Sequence, residues 1–240
     1  MDQTLDGHKA LITGASRGIG RSIAITLAQA GCDVALFGRD EEALEAVAAE
    51  CAEHCERALF YVLDLRDEEA LQESINDVAE SFGGELHIVV NNAGVVYQGS
   101  AHNVDLPTWD AMLDINLRAA MQVTRWSLPH FASKGKRAIV NIASMAGRSA
   151  HAGLSGYCAS KYGLIGFSHA AFADLRERGI KVTAICPGYV NTDMVAGAGL
   201  SSERMIQPQD VADAVRFVVE FPDTACPVEI QIMPQRTPYH

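Results

Sequence analysis

The sequence predicts an α/β protein built on one doubly wound parallel sheet of about seven strands, with helices on both faces. Two observations carry this. Short apolar runs alternate with amphipathic helical stretches along all 240 residues, the order expected of repeated strand–helix–strand units. Runs such as Ile88-Val89-Val90 and Ala138-Ile139-Val140 are apolar without a break, as strands covered on both faces must be. The length suits one domain with a sizeable core, and no Pro/Gly/Ser linker or internal repeat divides it.

Residues 8–13 read as the first strand, and a glycine cluster leads from it into a helix over 18–30. Residues 33–37 make the second strand, and the Ala/Glu-rich stretch 41–54 the second helix. A third strand over 58–63, a helix over 68–82 and a fourth strand over 86–91 follow. A long helical pattern covers 106–133; Pro107 suits its first turn, and Pro129 kinks or ends it. Residues 137–143 are the fifth strand. A helix over 156–178 stops at Gly179, which fits a left-handed C-cap. After the sixth strand, 181–186, comes the least regular segment, 191–207, rich in Gly, Ser and Ala. It follows a strand's carboxyl end, where ligands bind in such sheets, and is expected to be a mobile substrate lid. Pro208 opens a last helix to residue 220, and 228–233 is the final strand.

Composition narrows the function classes. The chain is 48% hydrophobic and 20% charged, ordinary for a soluble globular domain, and no apolar run approaches a membrane span. A net charge of −11 argues against nucleic acid or an anionic membrane as partner, while local basic groups still allow an anionic cofactor. The acidic opening Met1-Asp2-Gln3-Thr4-Leu5-Asp6 resembles neither a secretory signal nor a basic transit peptide, so a cytoplasmic protein is expected. The six cysteines are dispersed, as reduced cytosolic thiols are. Cys51, His54 and Cys55 read as a helix end rather than a metal site, and Cys158 carries no role.

Chemistry concentrates in Asn116, Ser144, Tyr157 and Lys161. On a helix, Tyr157 and Lys161 lie one turn apart on one face. A free phenol, with a pKa near ~10, is a poor base at neutral pH. A nearby ammonium favours the phenolate and is expected to bring that value down. Such a tyrosine passes a proton to or from an alcohol oxygen that Ser144 holds in place.

A nucleotide site accompanies these four. Thr13-Gly14-Ala15-Ser16-Arg17-Gly18-Ile19-Gly20 joins the first strand to the first helix. Glycines let the backbone turn and approach a phosphate, and the helix start offers free amides. NAD-binding sheets carry an acid at the end of the second strand; here Gly38-Arg39 stands there, and Arg17 lies in the glycine turn. Each arginine alone reads equally well as a solvated charge. Together, with the acid missing, they favour the 2′-phosphate of NADP. Asp64-Leu65, ending the third strand, either meets an adenine amino group or is a capping or loop aspartate. In Asn91-Asn92-Ala93-Gly94, small residues leave space for a ribose, and the asparagine amides tie strands together. Pro187-Gly188, with Val190 and Thr192 beyond, closes over the nicotinamide.

These motifs, in this order and spacing, resemble the classical short-chain dehydrogenase/reductase family over nearly the whole chain: the glycine turn, Asp64, Asn91-Asn92-Ala93-Gly94, Asn116, Ser144, Tyr157-Cys158-Ala159-Ser160-Lys161 and Pro187-Gly188. The resemblance implies a single Rossmann-type domain and a catalytic tetrad. Tyr157 would be the proton donor or acceptor. Lys161 would lower the phenol's pKa and bond the nicotinamide ribose, Ser144 would orient the substrate oxygen, and Asn116 would hold a relay water. Relatives with Arg17 and Gly38-Arg39 so placed mostly use NADP(H), which implies reduction of a ketone or aldehyde. Family likeness also implies a homo-oligomer, a tetramer or dimer, packing 106–133 and 156–178 against their mates.

The substrate is less legible. General features resemble 3-oxoacyl-carrier-protein reductases, acetoacetyl-CoA reductases and broad-range carbonyl reductases, and a 3-oxoacyl or similar ketone is the expected substrate; yet Leu154 replaces the usual polar residue of the acyl-carrier reductases, and the stretch from Cys226 to Pro234 lacks their glycine-rich ending. Ser144, Met145, Val95, Val96, Tyr97, His151, Tyr157, Tyr189 and Met194 are the expected pocket lining, largely apolar with a few polar tips; a loop histidine such as His151 is more often solvated. An NAD-dependent alcohol dehydrogenase and a non-catalytic dinucleotide sensor are the competing readings, and the intact tetrad speaks against the sensor.

Overall fold

A computed structural model describes residues 4–197 and 199–239. Met1, Asp2 and Gln3 of the acidic opening and Ala198 of the expected lid lie outside the described residues.

Strands β1 (Lys9–Thr13), β2 (Asp33–Gly38), β3 (Ala58–Val62), β4 (Ile88–Asn91), β5 (Ala138–Ile142), β6 (Lys181–Pro187) and β7 (Glu229–Ile232) form one sheet. Their order is β3-β2-β1-β4-β5-β6-β7 and every pairing is parallel. The expected seven-stranded, doubly wound, single-domain sheet is therefore present. Chain order reverses between β1 and β4, which opens a crevice at their carboxyl ends.

The helices are α1 (Gly18–Gln29), α2 (Glu41–Cys51), α3 (Glu68–Ser81), α4 (Leu106–Leu113), α5 (Ala119–Ser127), α6 (Ser155–Leu175) and α7 (Pro208–Glu220). Strand alternation sends Ala10 and Ile12 of β1 into one apolar layer, with Ile23 and Leu27 of α1, Leu44 of α2 and Val215 of α7. Leu11 enters the opposite layer, with Leu71 and Ile75 of α3, Val123 of α5 and Leu175 of α6. Each of the Leu, Ile and Val side chains here, when fully buried, stabilises the fold by about 1.5–3 kcal/mol. The strand ends that carry the polar motifs are thus anchored in the buried core.

Helix starts follow the sequence's acids. Asp40, Asp67 and Asp105 cap α2, α3 and α4 by accepting from Ala43 N, Ala70 N and Thr108 N. Gln207 and Asp210 form a capping box on α7. Helix α1 differs: Arg17 stands at its N-cap and makes no side-chain cap bond.

The stretch 106–133 departs from the expected single helix. A π-helical turn, Asp114–Arg118, separates α4 from α5, and a 3-10 turn, Leu128–His130, ends the run before an extended Phe131. Pro129, lacking an N–H, ends the helix as its chemistry demands. The π turn lies at Asn116, whose buried side chain is gripped from outside the helix, and a one-residue insertion of this kind leaves no mark on the apolar period. The second helix stops at Cys51 rather than 54, and the sixth tightens to a 3-10 turn, Arg176–Arg178, before Gly179 at φ 67°. Cys55 Sγ donates to the Cys51 carbonyl at 3.3 Å, and no metal-holding cluster occurs among the described residues. No helix among them is long and apolar enough to cross a membrane.

Candidate active site

The glycine turn is built for close approach. Gly14 (φ 65°) and Gly18 (φ 54°) adopt the left-handed region open to glycine. A Cβ on Gly14 would lie 2.8 Å from the Ala93 Cα, and one on Gly20 would overlap the Gly14 carbonyl oxygen. The turn therefore folds directly onto the end of β4. Asn92 fastens it there: its Nδ2 donates to the carbonyls of Thr13 and Gly14, each at 3.0 Å. The Thr13 hydroxyl in turn accepts from Asn92 N and Ala93 N. Uncapped amides at the start of α1 and the absence of side chains leave a cradle shaped for an anion.

Arg17 and Arg39 are both exposed on this side. Arg17 Nε stands 3.7 Å from the Asp193 carboxylate on the 191–207 segment. Asp64 is neither a cap nor free: Arg66 donates to it through N, Nε and Nη2, at 3.0, 3.1 and 2.5 Å. The Arg66 hydrogen bond holds the Asp64 carboxyl below the usual range, with Arg39 adding to the effect from further off. Asp67, not Asp64, caps the following helix. Leu65 is buried beside it.

Asn91 ties strands as its amide allows, donating from Nδ2 to Asn141 Oδ1 at 2.8 Å and to Thr124 Oγ1 at 3.2 Å. At 4% exposure its side chain faces the core. Asn116 is 1% exposed. Its Oδ1 accepts from Val95 N at 2.7 Å, and its Nδ2 donates to the Val95 carbonyl at 2.9 Å and to Ser160 Oγ at 3.0 Å. Both amide hydrogens are committed, so the side chain locks the loop after β4 onto α6. Ser160, one residue before Lys161, was not singled out by the sequence; its hydroxyl also donates to the Tyr157 carbonyl at 2.8 Å.

Ser144, at the end of β5, is half-buried, and its Oγ accepts from Ala146 N at 3.1 Å. Tyr157 and Lys161 project from the first turns of α6. Lys161, 4% exposed, donates from Nζ to the Ile142 carbonyl at 2.9 Å. A Cβ on Gly94 would lie 3.6 Å from Nζ and 3.3 Å from Asn116 Oδ1, so both groups face the same small-residue gap.

Electrostatics here overturn one expectation. Nζ lies 5.8 Å from the Tyr157 ring centre, a cation–π distance, but the phenol's pKa is raised, not lowered. Burial pushes it up, and the Ser144 hydroxyl opposes that only in part. Burial also weakens the Lys161 ammonium, from 10.5 to about 8. The lysine's hydrogen bond goes to Ile142 rather than to the phenol, so desolvation outweighs attraction. Tyr157 is thus protonated at neutral pH, the state of a proton donor.

Of the remaining expected residues, Pro187 and Val190 are buried, and Gly188 N donates to the Ile232 carbonyl at 2.8 Å. Thr192 Cγ2 would touch a Cβ on Gly18, placing the start of the 191–207 segment over the glycine turn. Met145, Val95 and Val96 are half-buried, whereas Tyr97, His151, Tyr189 and Met194 are exposed. Arg66 and Asp193 are partners that sequence reasoning missed; Arg66 carried a signal in its spacing of two from Asp64, and Asp193 carried none.

Comparison with known proteins agrees with this geometry. The family model described as short chain dehydrogenase matches residues 8–202. An uncharacterized oxidoreductase of Staphylococcus saprophyticus is 30% identical over 231 residues, covering 96% of this chain and 98% of that protein. A short chain dehydrogenase from Burkholderia cenocepacia, solved in complex with NADP, superposes with a TM-score of 0.88 at 34% identity, over 96% of this chain and 98% of that one. A metagenomic short-chain oxidoreductase, also in complex with NADP, gives 0.84 at 31% identity, over 98% and 100%.

Proposed function

The chain belongs to the short chain dehydrogenase family of oxidoreductases, and from that premise we propose that it is an NADPH-dependent reductase of ketones or aldehydes. The observation that carries this is the meeting of Ser144, a protonated Tyr157 and a buried Lys161 beside the open Gly94 gap. The cradle fits the dinucleotide, since Gly14 and Gly20 leave no room for a side chain and α1 begins uncapped. Gly14, Ser16, Arg17, Gly18, Ile19 and Gly20 would hold its phosphates, and Arg17 with Arg39 the 2′-phosphate. Asp64 and Leu65 would meet the adenine, Ala93 and Gly94 the ribose, and Pro187, Gly188, Val190 and Thr192 the nicotinamide side. Two neighbours crystallised with NADP support that choice over NAD.

When bound, NADPH would supply the hydride that the carbonyl carbon takes up. Ser144 Oγ donates a hydrogen bond to the carbonyl oxygen and fixes its position. The Tyr157 hydroxyl gives its proton to that oxygen as negative charge develops there, a step worth roughly 10²–10⁴ in rate. The Lys161 ammonium then stabilises the phenolate left behind, at a site where low dielectric strengthens the attraction. Asn116, through Val95 and Ser160, keeps the loop and the α6 start in register. The segment 191–207 serves as the substrate lid. The protein works in the cytoplasm as a homo-oligomer, for which the exposed Leu106 and Leu113 on α4, Met121 on α5 and Tyr162 on α6 supply apolar surface. Compact ketones are the preferred substrates, with 3-oxoacyl thioesters as the alternative. An NADPH-oxidation screen over diketones, aldehydes, quinones and 3-oxoacyl thioesters tests the reading; no turnover with any carbonyl would refute it.

A further inference from the structure

The segment after β7 does not trail into solvent. Pro234 packs on the β6 exit, where a Cβ on Gly188 would lie 3.1 Å from its Cδ. Residues 235–237 are exposed, yet Pro238 beyond them is buried. Its carbonyl accepts from Ser201 N at 3.0 Å, in the middle of the 191–207 segment. Next, the Tyr239 hydroxyl donates to the Tyr189 hydroxyl at 2.7 Å, with the rings edge-on at 5.8 Å and 85°.

The neck of the 191–207 segment is already closed: Ile206 N donates to the Tyr189 carbonyl at 3.0 Å and Asn191 N to the Ile206 carbonyl at 2.8 Å. Besides the neck, Thr192 and Asp193 meet the glycine turn at the segment's start, which leaves the later half of the loop to hinge as a flap. Of three further contacts made by the tail, those at Gly188 and Tyr189 sit just before the flap's root, and the one at Ser201 ties its middle. Those contacts sit at the carboxyl end of β6, beside the end of β5 that bears Ser144.

We propose that residues 233–239 form a strap that clasps the lid, and that Tyr239 is a specificity-determining residue: by holding Tyr189 and the lid in place it closes the far side of the pocket and restricts the enzyme to compact ketones and aldehydes. Long-armed thioesters need that side open. The proposal rests on the carbonyl-reductase reading for its substrate half, while the clasp itself is a property of the fold.

The test compares the wild type, a variant ending at Pro234 and Tyr239→Phe. Two readouts are taken: hydrogen exchange of peptides from 191–207, and kcat/KM for a compact diketone against a 3-oxoacyl N-acetylcysteamine thioester. The strap predicts at least about fivefold faster lid exchange in the truncated variant. It also predicts about a tenfold shift of selectivity toward the thioester, with Tyr239→Phe moving the same way by less. Unchanged lid exchange in both variants overturns the clasp. Faster exchange with unchanged selectivity overturns Tyr239 as a specificity residue. Should neither substrate turn over in the wild type, the carbonyl-reductase reading fails and with it the specificity role, while exchange still decides the clasp. Should the truncated variant misfold, Tyr239→Phe decides both halves, because it removes one hydroxyl and leaves the chain intact.

Discussion

Replacing Lys161 with methionine should make the protein more stable while ending its turnover. Burial holds the ammonium at about 8 against an ordinary 10.5, a gap that corresponds to about 3 kcal/mol. The sign follows from proton uptake. Between those values the unfolded chain binds the proton and the folded chain does not, so stability rises with pH across this window. Below about pH 8 the folded chain carries the whole penalty. Lys161→Met removes it but leaves the Ile142 carbonyl without its donor, a loss of about 1–2 kcal/mol. The net expectation is a gain of about 1–2 kcal/mol at pH 7, shrinking by about 2 kcal/mol at pH 10. Urea unfolding of both proteins at the two pH values, followed by circular dichroism, measures the difference. A variant whose stability relative to wild type is the same at both pH values would refute the reasoning, because it would mean that the buried ammonium carries no desolvation cost.

Three other outcomes are expected. Gly20→Ala forces a methyl group into the Gly14 carbonyl, so it should destabilise the chain by about 1–3 kcal/mol and weaken NADPH binding by fluorescence titration; normal binding would remove the cradle. Arg39→Ala should weaken NADPH about tenfold or more and leave NADH unchanged, since only the 2′-phosphate meets a guanidinium; equal losses for both would exclude that contact. His87, 8% exposed, is pushed by burial from 6.5 to about 4, with His8 and Lys9 adding repulsion. As pH falls through that window the unfolded chain takes up a proton that the folded chain refuses, so stability should drop by about 3 kcal/mol. His87→Gln should flatten the drop, and parallel stability curves would count against it.

The strand–helix order was legible because each apolar run has the length and continuity of a covered strand, and all seven strands form where such runs lie. Glycines of the first turn were legible for a different reason: only a residue without Cβ fits against Ala93 and the Gly14 carbonyl. Contacts set by the tertiary fold were not legible. The π turn at Asn116 depends on Val95 and Ser160, distant in sequence, and the hold of Arg66 on Asp64 depends on how the loop after β3 bends. The direction of the Tyr157 shift failed for the same reason. Helical spacing correctly put Lys161 one turn away, but it could not tell that the lysine would bond Ile142, nor that burial would dominate both groups.

Turnover requires the Tyr157 hydroxyl as the proton source. Its most direct measurement is a single-turnover experiment on Tyr157→Phe, with NADPH bound first and a reducible ketone mixed in, beside an NADPH titration of the same variant. The predicted result is a Kd within about twofold of wild type and a reduction step slower by roughly 10³ or more. Reduction at a rate within tenfold of wild type, with cofactor binding intact, would contradict it.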